Sequence, residues 1–231
     1  MIQVIFEDNH LIAVNKEAGV LVHADETGDY SLDEMVKNYI KVRYGKPGDV
    51  YLATLHRIDR PVSGVVIFAR TSKAAERMTK LFQTHAIDKN YLAITNNRPE
   101  PLAGRLIHYL IKNTETNIVK AYPKPKGDAK EAILDYEFVG QVDRSHILLK
   151  VNILTGRPHQ IRVQLAKINC PIQGDLKYGA EYANPDKSIS LHCRSMSFIH
   201  PVLKTPVKIT ADVPHNPIWR DYAPLINHDK M

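Results

Sequence analysis

The sequence predicts an α+β fold built on an extensive sheet. Short β-branched segments recur along the chain, amphipathic helical spacing interrupts them at only a few places, and no repeat, low-complexity tract or linker divides it. At 231 residues, 44% of them hydrophobic, the chain can bury a sizeable core. A single domain over 1–231, with its sheet bent around a cleft, is the expected organisation.

Residues 2–6 and 11–14 are apolar and β-branched and are parted by Glu7, Asp8, Asn9 and His10, which predicts a hairpin. From Ser31 to Tyr44 the residues Leu32, Met35, Val36, Tyr39 and Ile40 recur at helical spacing, and Ser31 with Glu34 has the pattern of a capping box. Lys37 and Lys41 on the other face read as a solvated surface. The polar stretch HRIDRPVSG at 56–64 feeds a strand over Val65 to Ala69, and a helix follows from Ser72 to His85. Residues 91–94 read as a strand, whereas 97–130, rich in Asn, Pro, Lys and Gly, read as irregular. Strands are expected at 132–139 and 146–154, a helix at 159–168 with Ile161, Leu165 and Ile168 on one side, and strands at 189–199 and 206–212 joined by the turn HPVLKTP.

Composition narrows the function classes. Thirty-one Lys and Arg against 25 Asp and Glu leave a net charge of +6, which favours polyanionic partners without identifying one. Cys170 and Cys193 are too few for a disulfide scaffold and lack the spacing of a zinc site. His192 and His200 lie near Cys193 on a strand-like stretch where alternate side chains part, so no metal and no cofactor are expected. The opening MIQVIFEDNHLIAV has no basic lead and carries acidic residues within its apolar run, unlike a secretory signal. The longest apolar run, VVIFA at 65–69, is far below membrane-spanning length. These features predict a cytoplasmic protein with no membrane association.

Polar chemistry is concentrated in a few segments. His56, Arg57, Asp59 and Arg60 crowd together before Pro61, Val62, Ser63 and Gly64. One reading is a surface loop whose arginines neutralise Asp59. The other is an extended segment that points Arg57 and Asp59 to one side, so that a cation stabilises the carboxylate form of a nucleophile. In TGRPHQIRVQL at 155–165, Gly156 and Pro158 suit a turn into a helix and Arg157, His159, Gln160 and Arg162 supply donors, either for phosphate at the helix start or as solvated charges on a capped helix. Lys89, Asn90 and Tyr91 open a strand, where Tyr91 fits a core aromatic as well as a stacking platform. Lys120, Lys124, Lys126 and Lys130 suit either a phosphate track or a solvated loop.

Taken in order, these segments resemble the RluA family of RNA pseudouridine synthases. HRIDRPVSG is similar to that family's HRLD and Ser-Gly turn, KNYLA to its Lys-x-Tyr segment, and TGRPHQIRVQL to its Gly-Arg-x-His-Gln-x-Arg motif. NKEAGVLVH at 15–23, CPIQGDLKYG at 170–179 and LHCRSMSFIHP at 191–201 extend the resemblance over nearly the whole chain. It implies the pseudouridine synthase catalytic fold: a mixed, mostly antiparallel bent sheet with flanking helices and a central RNA-binding cleft. No separate N-terminal RNA-binding domain is expected, because the catalytic signature begins almost at residue 1. The resemblance makes Asp59 the catalytic carboxylate, Arg162 its ion-pair partner and Tyr91 the aromatic packed on the target uracil, with Arg57, Lys89 and Arg157 as RNA-binding residues. Ile58, Val62, Glu17 and Gln164 depart from the family's usual residues. Glu17 replaces a common Pro and loses its fixed dihedral beside Lys16.

The implied reaction isomerises selected uridines in structured rRNA or tRNA, on a base flipped out of its stem. The carboxylate acts at the uracil ring or at the anomeric carbon. The protein is expected to work as a monomer. Alternatives are an RNA-binding protein of the same fold without catalysis, or a glycoside-type hydrolase that recruits a second acid. Asp175 is the nearest candidate for that acid, and a turn-supporting role is the plainer reading.

Overall fold

The structure is a computed structural model and describes residues 2–26 and 28–228. In chain order it begins with strands β1 (Gln3–Glu7) and β2 (Leu11–Lys16), helix α1 (Leu32–Arg43), strands β3 (Ala53–Thr54) and β4 (Ser63–Ala69), and helix α2 (Ser72–Gln83). Strands β5 (Asp88–Thr95), β6 (Ala103–Asn113), β7 (Ile118–Tyr122), β8 (Lys130–Asp143) and β9 (His146–Ile153) follow, then helix α3 (Gln160–Lys167) and a 3-10 turn over Leu176–Tyr178. Strands β10 (Leu191–Ile199) and β11 (Pro206–Thr210) and the short helices α4 (Pro217–Arg220) and α5 (Ala223–His228) complete it. The fold is α+β, as predicted. Contacts divide it into two compact units, one from residues 1–88 and 193–212, the other from 89–192 and 213–231.

In the first unit β1 and β2 form the expected hairpin, with Gln3 opposite Asn15 and Glu7 opposite Ile12. Asp8 closes its turn by accepting the N–H groups of His10 and Leu11, each at 2.7 Å. Strand β2 lies antiparallel on β4 from Leu11 opposite Ala69 to Lys16 opposite Gly64. Every residue of β4 is buried, which is why its sequence is continuously apolar rather than alternating. The Ser31 and Glu34 capping box is present at the start of α1, which buries Leu32, Val36 and Ile40, while Lys41 faces solvent. In α2 Ala74 and Met78 are buried, and the Thr71 hydroxyl accepts the Ala74 N–H at 3.2 Å.

In the second unit the strands run in the order β5, β9, β8, β6, β7, and each adjoining pair is antiparallel. Register places Tyr91, Val151, Tyr136 and Gly104 in one cross-strand row, hence on one face. Helix α3 buries Val163 against Leu110, Val119 and Ala132.

One expectation is overturned, and two helices stand where none was expected or excluded. The segment 97–130 is not irregular but contains β6 and β7, a hairpin with Tyr109 opposite Tyr122. Leu106, Ile107, Tyr109, Leu110 and Ile111 are consecutive or nearly so, and apolar residues sit on both faces. Leu110 is buried and Ile107 is 48% exposed, so the period-2 alternation that marks a half-buried strand is erased. Residues 213–228 drew no element in the sequence, yet α4, α5 and the turn between them carry Trp219, Tyr222 and Ile226 into a cluster with Leu92, Ile94 and Leu148. The signal was present: Asn216 caps by accepting the Trp219 N–H at 3.1 Å, Pro217 occupies the first helical turn, and the buried residues recur at helical spacing. Among the described residues no helix is long and apolar enough to cross a membrane.

Candidate active site

In the first unit the chain leaves the sheet just before Asp59. Backbone pairing of β3 with β4 ends at Thr54 opposite Phe68. The His56 imidazole then takes over, its Nε2 accepting the Ile67 N–H at 3.0 Å while its ring stacks on Phe82 at 5.0 Å. An accepting Nε2 places the proton of the neutral ring on Nδ1. His56 is therefore an anchor of the loop. Ile58 points into the core and is 8% exposed, Arg57 is exposed, and Asp59 is half-buried. The Asp59 carbonyl accepts the Val62 N–H at 3.0 Å, so the carboxylate projects from a closed turn.

That turn is stitched to the segment after β2. The Lys16 ammonium, 1% exposed, donates to the carbonyls of Glu17, Val20 and Arg60 at 3.0, 2.8 and 3.1 Å. The Arg60 carbonyl also accepts the Gly19 N–H at 2.7 Å, and the Arg60 side chain donates to the Gly19 carbonyl at 2.9 Å and to Asp29 at 2.6 Å. Glu17 therefore does not dislodge Lys16: its carbonyl is one of the three acceptors, and the bend falls on Gly19 at φ 90°. Burial pulls the Lys16 ammonium down to about 7, with the Asp59 charge opposing that shift and the Arg60 charge adding to it. Lys16 and Asp59 thus feel each other directly.

A pH dependence follows with a definite sign. Between about 7 and the ordinary lysine value of 10.5 the unfolded chain holds the Lys16 proton more tightly than the folded one, so this residue makes stability rise with pH across that window. In Lys16→Met the three carbonyls lose their common donor, and unfolding free energy is expected to fall by about 3 kcal/mol near pH 7. Urea denaturation of both proteins from pH 6.5 to 9.5 checks this: the gap should widen with pH, and parallel profiles would contradict the assignment.

In the second unit Lys89 and Tyr91 share one face of β5, each 7% exposed. Arg162, on α3, is 6% exposed, and its guanidinium grips Asp175 in a bidentate pair, Nε to Oδ2 at 2.7 Å and Nη2 to Oδ1 at 2.9 Å. Asp175 is 1% exposed and also accepts the Tyr178 and Ala180 N–H groups through its carbonyl. This residue supports a turn, as its sequence suggested, but it is also the fixed partner of Arg162, a pairing the sequence did not reveal because thirteen residues and a change of element separate the two. A carboxylate held in that way accepts hydrogen bonds on both oxygens and is a poor second acid for a hydrolase.

The polar groups of TGRPHQIRVQL divide by role. Gln160 is internal, its amide oxygen accepting from the Thr155 hydroxyl and the Arg157 N–H and its amide nitrogen donating to the Ile133 carbonyl. Gln164 likewise donates inward, to the Ala132 carbonyl at 3.1 Å. Arg157 is exposed, and its Nε donates to the Glu131 carbonyl at 2.9 Å. His159 caps α3 in the left-handed region at φ 52°, a conformation that costs a non-glycine residue on the order of 1 kcal/mol and recurs at functional sites. Lys120, Lys124, Lys126 and Lys130 are all exposed.

Residues 10–167 match the family described as RNA pseudouridylate synthase. The chain belongs to that family. The matched span contains Asp59, Tyr91 and Arg162, and the family's activity makes this protein an RNA pseudouridine synthase. The tRNA pseudouridine synthase C of Haemophilus influenzae is 31% identical over 229 residues, covering 91% of this chain and 92% of that protein. The ribosomal large subunit pseudouridine synthase C of Buchnera aphidicola is 31% identical over 218 residues, covering 90% of this chain and 66% of that protein. The solved structure of human RNA pseudouridylate synthase domain containing 4 aligns with a TM-score of 0.78 at 23% identity, over 97% of this chain and 93% of that one, and has the same fold.

Proposed function

We propose that this synthase converts selected uridines of a structured RNA into pseudouridine with Asp59 as its essential carboxylate. The observation that carries the reading is that the family match takes in Asp59, Tyr91 and Arg162 within motifs that follow the family's order. The reaction breaks the bond between ribose and uracil N1, turns the base and rejoins it through C5, which gives up its proton. The product is an isomer of the substrate, so no electron or group donor enters the balance.

On this reading Asp59 attacks, Arg162 stabilises its carboxylate form, and Tyr91 packs against a uracil extruded from its stem. Arg57, Lys89 and Arg157 contact the RNA. We read residues 1–231 as a single catalytic domain, acting as a cytoplasmic monomer. Transfer RNA is the favoured substrate, because a relative named for it matches along nine-tenths of both chains.

Mapping pseudouridine in total RNA from cells that lack the protein, re-supplied with the intact chain or with Asp59→Ala, tests the reading. A mark restored only by the intact chain supports it and names the target. Marks that all persist in the deletion favour either a second enzyme that makes the same mark or a silent RNA-binding protein. For Tyr91, substitution by Ala is expected to cost a stacking contact of roughly 1 to 3 kcal/mol, whereas Tyr91→Phe keeps the contact and isolates the hydroxyl. Single-turnover kinetics on a minimal stem-loop read both, and normal kinetics for Tyr91→Ala would remove the stacking role.

A further inference from the structure

We propose that Tyr178 is a positioning residue for this synthase, holding the Arg162 guanidinium in its working orientation from the side that Asp175 does not reach. The proposal rests on the reading that Arg162 stabilises the Asp59 carboxylate. Arg162 is held along one edge by the bidentate pair with Asp175. Such a pair fixes the guanidinium in the carboxylate plane but leaves tilting out of it opposed only by packing. The Tyr178 ring supplies that packing, with the Arg162 Cζ 5.1 Å from its centroid, within the range of an attractive cation and ring-face contact.

Both contacts come from one short piece of chain. The Tyr178 N–H donates to the Asp175 carbonyl at 3.0 Å, and the 3-10 turn ends on Gly179 at φ 99°. The carboxylate and the ring that grip Arg162 are thereby delivered three residues apart as one preformed clamp.

The clamp is anchored at its far end by the Tyr178 hydroxyl. That oxygen accepts the Val119 N–H of β7 at 2.9 Å and lies 2.7 Å from His159 Nδ1. Accepting from one and donating to the other satisfies both directions of a hydroxyl, with the neutral imidazole carrying its proton on Nε2. Val119 stands on the outermost strand of the second unit's sheet, and His159 caps the helix that carries Arg162. Rotation of the ring would therefore break contacts with a strand and with the helix start together. None of these groups needs to touch RNA for Tyr178 to act; it acts through Arg162.

The test uses the full chain and compares Tyr178→Leu, Tyr178→Phe and Arg162→Lys in kcat, KM and the acid limb of the kcat–pH profile. Lys16 and Arg60, the charged groups that act on one another beside Asp59 in its own unit, are unchanged in all three variants. Tyr178→Leu is expected to lower kcat about tenfold or more, to leave KM for the RNA within about threefold, and to move the acid limb in the same direction as Arg162→Lys. Tyr178→Phe, which keeps the ring and loses the anchor, should stay within about fivefold of the parent and shift the limb the same way by less. A merely structural role would reduce the active fraction and leave the limb in place. If Arg162→Lys moves the limb and neither Tyr178 variant does, the positioning role is overturned; if Arg162→Lys itself leaves rate and limb unchanged, the reading of Arg162 fails instead. Should Tyr178→Leu not fold, Tyr178→Met takes its place with the same expected result.

Discussion

Asp59→Asn is expected to bring pseudouridine formation to background, a loss on the order of 10⁴-fold or more, with affinity for the same RNA within about threefold. Asn keeps the shape and volume of the side chain but cannot form a covalent link through an anionic oxygen or shuttle a proton. The fold should tolerate it, because Asp59 is half-buried and the hydrogen bond from the Val62 N–H to its carbonyl, which closes the turn, is kept by the substitution. Release of the C5 hydrogen as tritium from labelled RNA measures turnover, and filter binding measures affinity. Retention of even one-hundredth of the parent rate would take the reaction away from Asp59. Because the Asp59 charge opposes burial in setting the Lys16 ammonium, the same substitution should also lower the pH at which Lys16 loses its proton.

Gly64→Ala is expected to cost more than about 3 kcal/mol of stability, or to leave no soluble protein. Gly64 sits at φ +116°, where an L side chain is strained, and a Cβ built there would lie 2.3 Å from the Cys193 carbonyl oxygen and 2.6 Å from its nitrogen. These are backbone atoms of the neighbouring strand, so relief requires β4 and β10 to part. The strain falls at the end of the Asp59 segment and opposite Lys16, so a surviving protein should lose activity beyond its loss of folded fraction. Gly48→Ala is the control: its surroundings are open and its φ is ordinary, and a change within about 0.5 kcal/mol is expected. Equal urea midpoints for the two variants would refute the close-approach argument.

Both predictions concern residues of one motif, HRIDRPVSG, and they differ in how far the sequence explains them. Asp59 stands out in the sequence as a carboxylate crowded by cations, and the resemblance of its surroundings assigns its role. Gly64 is equally visible as a letter, but the reason it must be glycine is a carbonyl more than a hundred residues away. His56 belongs to the same contrast. It sits among the polar residues of the cluster, yet it serves the sheet by replacing the backbone partner of Ile67.

What the sequence by itself determined is whatever depends on near neighbours. The β1–β2 hairpin, the capped helix α1 and the buried strand β4 follow from local periodicity and turn chemistry, and the order of the polar motifs placed the chain in its family. The tertiary structure alone decided the pairings between distant segments: Asp175 with Arg162, Tyr178 with Val119 and His159, and Lys16 with the Arg60 carbonyl. It also decided β6 and β7, where apolar residues on both faces hide the strand period until the sheet shows which face α3 covers. The physical reason is the same in each case. A hydrogen bond or ion pair depends on where two groups meet in space, and for groups far apart in sequence that meeting is a property of the packed fold rather than of either segment.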